Sequence, residues 1–267
     1  MKGILSAVKH VTIVACFSTL VAGPAFAAHP LISDDAGTLG KGTTQIELNG
    51  QWSSDKETVE GAGGESRTSQ VVTTYDYGIA EKVDLTLGVA RQWGELESGG
   101  LTENDPGFVN FSLSSKWQFL ETSGFSFAFK PQFAYSYVVG GSKDDYTFSY
   151  GVALIATKEF EPFAVHLNVG YQYNDYQATA ERAASRNSIW STSLGSTYDV
   201  VKERLKLVSD FGTSTNQDRS TSELPVFALA GAIYSLNKNV DLSAGVKFGL
   251  TKPEPDVAAT GGVTIKF

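Results

Sequence analysis

The sequence is poor in cysteine, in basic charge and in long apolar runs. Its single cysteine, Cys16, lies near the N-terminus, so no disulfide can hold the rest of the chain together. The formal net charge of −8 argues against a nucleic-acid partner, because phosphate binding needs a surplus of Lys and Arg. Only the N-terminus has an apolar run approaching the roughly 20 residues of a membrane-spanning helix. A disulfide-stabilised domain and a helical membrane protein are therefore excluded.

The first 27 residues have the pattern of an export signal. Two lysines make the start basic, Val11–Ala22 is apolar, and Ala25–Ala27 has the small side chains that precede a signal-peptidase cleavage site. A lipoprotein signal is the alternative, because Ile13–Cys16 resembles a lipobox, but the apolar stretch continues past it. We expect cleavage after Ala27, which leaves a mature chain without cysteine and with a formal net charge of −10, since only two basic residues are removed.

From residue 45 onward, apolar and polar residues alternate with period two, which is typical of strands whose two faces meet different environments. In the first such segment Ile46 and Leu48 share one face, while Glu47 and Asn49 share the other. Only Pro225–Leu236 is apolar on both faces. The pattern predicts twelve strands, starting near residues 44, 69, 83, 107, 125, 146, 163, 188, 205, 225, 240 and 257.

Short and long connections alternate between these strands. The short ones are Ile79–Lys82, Leu120–Gly124, Glu159–Pro162, Val200–Arg204 and Leu236–Asn239. The long, polar ones are Ser53–Thr68, Arg91–Pro106, Val138–Asp145, Asn174–Asn187 and Thr213–Leu224, and the last connection, Thr251–Asp256, is brief. Bacterial outer-membrane barrels have this arrangement, with short periplasmic turns, longer external loops and an even number of strands.

The sequence therefore predicts an all-β fold, a single antiparallel up-and-down transmembrane β-barrel at residues 44–267 with both termini in the periplasm. The apolar face would meet lipid, aromatic side chains would form girdles at both interfaces, and the polar face would line a wet lumen. The barrel must close, because an open sheet edge in hydrocarbon leaves backbone groups unpaired. A secreted β-sandwich or lectin-like fold is the alternative. Residues 28–43 are predicted to form a periplasmic N-terminal arm.

Several segments resemble the outer-membrane family of meta-pathway phenol degradation proteins. The opening stretch His29–Gly42 carries most of the resemblance, and shorter matches are Tyr77–Ile79 with Val83–Leu85, Ala156–Glu159 and Lys247–Pro253. The resemblance spans most of the mature chain and implies a transporter-like barrel of a Gram-negative outer membrane for small, aromatic compounds. It brings no catalytic motif. The final strand ends in Phe267 and resembles the terminal strand that the barrel assembly machinery recognises.

Charged residues on the polar face are the candidate site, because function in such a barrel depends on its lumen. The alternation predicts that acidic and basic side chains point into the lumen in nearly equal number. The predicted lumen-lining residues are Glu47, Asp76, Asp84, Asp199, Asp210 and Asp241, Lys116, Lys130, Lys206, Lys247 and Lys266, and His166. Mixed charge favours a salt-bridged interior or a pore for neutral solutes over an ion-selective ring. Many of these residues lie near the short turns, where they either narrow the pore, with the arm as part of the seal, or hold the barrel's shape.

Enzymatic chemistry finds little support. The histidines outside the signal are His29, placed outside the barrel by the prediction, and His166, which points into the lumen and away from lipid acyl chains. Asp34 and Asp35 in the arm could bind a divalent ion or pair with Lys41, but we expect a solvated polar arm. Without cysteine or a histidine cluster, neither a metal site nor a cofactor is predicted.

We expect a passive outer-membrane channel for small, aromatic or hydrophobic solutes, in contact with outer-membrane lipid and lipopolysaccharide. Twelve strands imply a narrow passage, between eight-stranded barrels that side chains fill and sixteen-stranded porins. The alternative is a structural or surface-interaction barrel with a sealed lumen, and a barrel enzyme ranks last.

Overall fold

The computed structural model describes residues 29–59 and 62–267, and the predicted export signal lies outside the described residues. Twelve antiparallel strands form one closed barrel. Their bounds are β1 (Thr44–Val59), β2 (Ala62–Ala80), β3 (Val83–Ser98), β4 (Leu101–Thr122), β5 (Phe125–Val138), β6 (Tyr146–Phe160), β7 (Phe163–Tyr176), β8 (Ser188–Val201), β9 (Leu205–Ser214), β10 (Val226–Asn237), β11 (Val240–Gly249) and β12 (Val257–Lys266). One short helix, α1 (Thr179–Ala184), lies between β7 and β8.

Each strand pairs with its neighbours in the chain, and β1 pairs with β12 to close the barrel. That last ladder runs from Gln45 opposite Lys266 to Ser54 opposite Val257. The closed twelve-stranded antiparallel barrel predicted from the alternation is therefore confirmed. Among the described residues no helix is long and apolar enough to cross a membrane.

The two faces of the wall differ as the alternation predicts. Large apolar side chains such as Leu48, Leu87 and Leu154 are exposed on the outer surface. Their chain neighbours Glu47 and Thr86 are buried inside the barrel. Polar groups thus line the interior, whereas a water-soluble barrel would have an apolar interior.

The structure corrects the predicted bounds of β2 and β4, which begin at Ala62 and Leu101 and not near residues 69 and 107. Residues predicted to be long loops continue the β1–β2 and β3–β4 hairpins, with Lys56 opposite Glu65 and Arg67 opposite Glu95. These hairpin ends are mostly polar, with isolated apolar residues such as Leu96 and Leu101, so the apolar period disappears while the backbone pairing continues. Strands β9, β11 and β12 have only 10 residues each, whereas β4 has 22.

Strand β10 is apolar on its inner face because a segment of chain packs against it there. Phe227, Leu229 and Ile233 of β10 and Val208 of β9 form a buried cluster with Leu31, which precedes the barrel in the sequence. We call residues 29–43 the arm, and the start of the arm thus lies in the lumen.

Candidate functional site: the lumen and its arm

The arm turns into the barrel immediately before β1. Gly40 and Gly42 have φ values of 82° and 84°, a left-handed backbone that favours glycine. The Gly42 amide donates to the Gly78 carbonyl at 2.8 Å, and the Gly78 amide donates to the Thr43 carbonyl at 2.9 Å. A side chain at Gly78 would collide with the Gly40 backbone, so glycine at position 78 permits the close approach that directs the arm inward.

Side chains of the barrel wall bind the backbone of the arm. The Leu39 amide donates to the Asp84 carboxylate at 3.1 Å, and the Ala36 amide donates to Thr157 Oγ1 at 2.9 Å. Because the wall strands pair only with one another, these side chains supply the partners that a buried backbone requires. The arm therefore follows the inner wall, from β3 towards β6.

Asp210 on β9 is the acceptor for the next part of the arm. Its Oδ2 accepts from the Ile32 amide at 2.7 Å and from the Ser33 amide at 2.6 Å, and its Oδ1 accepts from Ser33 Oγ at 2.7 Å. Asn168 on β7 exchanges two hydrogen bonds with the Asp34 backbone, at 3.0 and 2.8 Å. Three consecutive arm residues are thus held by two side chains of the wall.

A buried ion cluster lies at the middle of the arm. Asp34 Oδ1 is 3.2 Å from Lys116 Nζ, and Asp34 Oδ2 is 3.1 Å from Lys130 Nζ. Lys116 Nζ also donates to the Asp35 carbonyl at 3.0 Å. All three side chains of the two Asp34 salt bridges are buried. Removal of one partner would leave buried charge uncompensated, which costs about 3–5 kcal/mol.

The first described residues of the arm reach β11 and β12. His29 Nδ1 lies 2.6 Å from Ser243 Oγ, and Nε2 lies 2.7 Å from Thr260 Oγ1. Burial lowers the pKa of the His29 imidazole to about 4, so the ring is neutral near pH 7 and offers one donor and one acceptor to the two hydroxyls. Pro30 packs over Gly231 and Gly245, where a Cβ would collide with its ring.

The structure buries most of the predicted lumen residues inside the barrel. The buried ones are Glu47, Asp76, Asp84, Lys116, Lys130, His166, Asp210 and Lys247. Four others lie nearer the end that holds the short turns, where Lys266 is 2.7 Å from Asp241 and Lys206 is 3.9 Å from Asp199. His166 Nδ1 lies 3.0 Å from Thr157 Oγ1, beside the arm.

The expectations of a solvated polar arm and of His29 outside the barrel are wrong, and in place of the alternative pairing with Lys41, Asp34 pairs with Lys116 and Lys130. Asp34 and His29 are buried in the lumen, and Lys41 is exposed. The physical reason is that wall residues far away in sequence supply both the opposite charge and the hydrogen-bond partners of the arm. Within the described part of the chain, no group of three or more metal-ligating side chains could hold a metal ion.

The arm divides the interior into separate cavities. On the side of the short turns, a cavity of about 270 Å³ is lined by residues that include His29, Asp35 and Glu47. On the side of the long loops, two cavities of about 100 Å³ each lie against the arm, one reaching Asp34 and one reaching Leu31. The space beside the arm is therefore suited to small solutes.

Two long loops and one short one fold over the cavity that reaches Asp34. Gln217 Nε2 donates to the buried Tyr176 hydroxyl at 2.6 Å, and Arg186 holds the 216–221 loop by its carbonyls. From the last connection, Glu254 turns inward to pair with Lys247 at 2.8 Å. Sequence analysis predicted Lys247 but missed Tyr176, which continues the inward period of His166 at the end of β7 in a stretch interpreted as a loop. It also missed Gln217 and Glu254, because no periodic signal indicates which loop residues turn inward.

Comparison with known proteins identifies a family and a shared fold. Residues 27–267 match the model of the family described as "Putative MetA-pathway of phenol degradation". An outer membrane channel from Pseudomonas putida F1 is similar with a TM-score of 0.65 and 14% identity, over 87% of this chain and 98% of that one. The transport unit of the autotransporter AIDA-I from Escherichia coli is similar with a TM-score of 0.57 and 13% identity, over 97% and 98%.

A third solved structure, of the KdgM porin in complex with disordered oligogalacturonate, is similar with a TM-score of 0.53 and 10% identity, over 84% of this chain and 99% of that one. The comparison with curated proteins finds no match. At these identities the solved structures support the fold alone, a barrel like those of outer-membrane channels, porins and translocators.

Replacement of Asp34 by Asn should release the arm while the barrel stays folded. The substitution removes the charge that compensates Lys116 and Lys130, and a loss of about 3 kcal/mol corresponds to a roughly 100-fold change in the docking equilibrium. Hydrogen exchange of the arm peptide in detergent measures this loss of protection, with exchange of the wall strands unchanged. Asp35→Asn is the control, because Asp35 Oδ1 is 3.9 Å from Lys116 and its side chain is partly exposed. Equal protection of the arm in Asp34→Asn and in the native chain would contradict the assignment.

Acid should weaken docking of the arm through His29. The released imidazole has its ordinary pKa of 6.5 and the docked one a pKa of about 4, so protons bind preferentially to the released arm. Docking should weaken roughly tenfold per pH unit as the pH falls from 6.5 to 4. Hydrogen exchange of the arm, corrected for the intrinsic pH dependence, measures the slope. His29→Gln should remove this component, and an identical slope in both proteins would contradict the prediction.

Proposed function

The chain belongs to this phenol-degradation family, and from that premise we propose that it is an outer-membrane channel through which small solutes, including aromatic and hydrophobic ones, pass by passive diffusion. The observation that carries the proposal is a polar lumen crossed by an arm that takes no part in the strand ladders of the wall. Release of the arm would leave every ladder intact, so the passage can widen without opening the barrel.

The orientation follows from the lengths of the connections. The exposed apolar side chains face lipid, the short turns, the start of β1 and the C-terminus lie on the periplasmic side, and the long loops face lipopolysaccharide. Export uses the N-terminal signal, and the barrel assembly machinery recognises the strand that ends in Phe267.

The lining of the cavity beside Asp34 supports small solutes with an apolar or aromatic face. Phe227 and Ile189 offer apolar surface there, while Gln132, Asn168 and Gln172 offer amide groups for hydrogen bonding. Each lysine predicted to point inward is paired with a carboxylate, as in the Lys247–Glu254 and Lys266–Asp241 salt bridges, which favours neutral solutes over ions of one sign.

A sealed barrel whose loops interact at the cell surface is the second candidate. The buried Asp34 ion cluster favours it, because an arm held this firmly closes much of the lumen. The histidine–hydroxyl pairs of the lumen, His29 with Ser243 and His166 with Thr157, lie at the contacts that hold the arm, and we propose no catalytic role for them.

Deletion of residues 29–38 behind an intact export signal tests the channel. Without the arm the lumen loses its largest obstruction, so single-channel conductance in planar bilayers should rise several-fold over that of the native chain. Liposome swelling should become faster for catechol and for glucose, with the native protein passing catechol preferentially.

The Asp35→Asn variant should retain native conductance and serves as the matched control for Asp34→Asn, which should resemble the deletion. Absence of conductance and swelling in both the native and the deleted protein would overturn the channel and favour the sealed barrel.

A further inference from the structure

Part of the loop between β9 and β10 folds over the cavity beside Asp34. Residues 216–221 of this loop form what we call the lid. Its residues Asn216 and Gln217 are buried, although they belong to a polar loop at the end of the barrel that holds the long connections. Gln217 also lines the cavity itself. A polar loop is buried only where its hydrogen-bonding groups find partners, so the contacts of the lid indicate what holds it in place.

One arginine of the loop between β7 and β8 holds the lid. The Arg186 guanidinium donates to the Asn216 carbonyl at 2.8 Å and to the Thr221 carbonyl at 2.9 Å. It also donates to the carbonyl of Asp218. A guanidinium presents five N–H donors in a fixed fork, and hydrogen bonds from a charged donor are stronger than those between neutral groups. Removal of this one side chain would therefore take the donor from several lid carbonyls at once.

Gln217 connects the lid to the inner face of the wall. Its Nε2 donates to the Tyr176 hydroxyl at 2.6 Å, and the same hydroxyl accepts from Asn174 Nδ2 at 3.1 Å. Tyr176 is fully buried at the end of β7. Asn174 and Gln217 both line the cavity beside Asp34, so this contact lies at the border of the cavity. The lid is thus fastened by Arg186 on one side and by Tyr176 on the other.

The lid and the arm border this cavity with different contacts. Asp34 of the arm lines it, and so does Gln217 of the lid, which lies nearer the long loops. The arm is held by Asp210 of the wall, whereas the lid is held by Arg186 of a neighbouring loop. Because the two segments depend on different residues, either one can open while the other stays in place.

We propose that the lid opens and closes the cavity beside Asp34 towards the outer mouth of the barrel, and that Arg186 is the residue that holds it closed. Opening breaks the contacts of one short loop and leaves every strand ladder of the wall intact, so it requires far less free energy than unfolding. A solute in this cavity lies between two closures, the lid and the arm. The role of the cavity as a solute site rests on the proposed function, whereas the lid itself is tested without transport.

Access of a thiol reagent to the cavity tests the proposal on the purified protein in detergent. The mature chain expected from the export signal has no cysteine, so one introduced thiol reports on one place. Ser191→Cys places the thiol in the cavity beside Asp34, and Ser112→Cys is the matched reporter in the cavity beside Leu31. The reagent is fluorescein-5-maleimide, which is larger than either cavity. With the lid closed, Ser191→Cys should react roughly tenfold more slowly in the folded protein than after unfolding in guanidinium chloride.

Arg186→Ala should raise the labelling rate of the Ser191→Cys reporter roughly tenfold, because several hydrogen bonds from one charged donor are lost. Gln217→Ala should raise the rate less, since it removes a single hydrogen bond to the wall. Arg219→Ala is the matched control, because this side chain is exposed and donates to one amide oxygen of the neighbouring loop, and it should leave the rate unchanged. The Ser112→Cys reporter should react at the same rate in all of these proteins.

Three results would overturn the proposal: equal labelling of Ser191→Cys in the folded and the unfolded protein, an unchanged rate in both Arg186→Ala and Gln217→Ala, or an equal rise for Ser112→Cys, which would indicate a loosened barrel. The first comparison needs no lid variant, so it stands even where Arg186→Ala fails to fold. Conductance is measured separately, so a working lid on a non-conducting barrel would refute the channel and leave the lid standing.

Discussion

Every structural property of this protein depends on the ladder between β1 and β12, which closes the sheet. Without it, the amides and carbonyls of two strand edges would lose their partners, which costs several kcal/mol for each group wherever water is excluded. Closure also lets the strands satisfy one another's backbone hydrogen bonds, because each strand pairs with two others. Side chains on the inner face are then free for other contacts.

The arm uses that freedom. Its amides bind Asp84, Thr157 and Asp210, and Asp34 provides the charge that two buried lysines need. The wall contributes side chains and the arm contributes backbone, so the contacts resemble a bound peptide more than a further strand. This division explains how one polypeptide forms both a closed barrel wall and an arm that occupies the lumen without joining the sheet.

Much of the fold could be predicted from the sequence. Strands β1, β3, β5 to β9, β11 and β12 begin where the alternation predicts, because an apolar outer face and a polar inner face require opposite residue types at successive positions. The starts of β2 and β4 could not be predicted, since both faces of those hairpin ends are polar. The alternation correctly predicted that Lys116 and Lys130 point inward. It could not predict the position of Asp34, because the arm has no periodic pattern and the lysines that pair with Asp34 lie far away in sequence.

The unequal strands have a geometric consequence for the rim of the barrel. The strands at one side of the barrel are much longer than those at the other, since β4 has 22 residues and β9 has 10. At about 3.3 Å per residue the tall side rises some tens of ångströms along the strand direction above the low one. The opening is consequently slanted, with its low rim at β9–β12 and its high rim at the β1–β2 and β3–β4 hairpins.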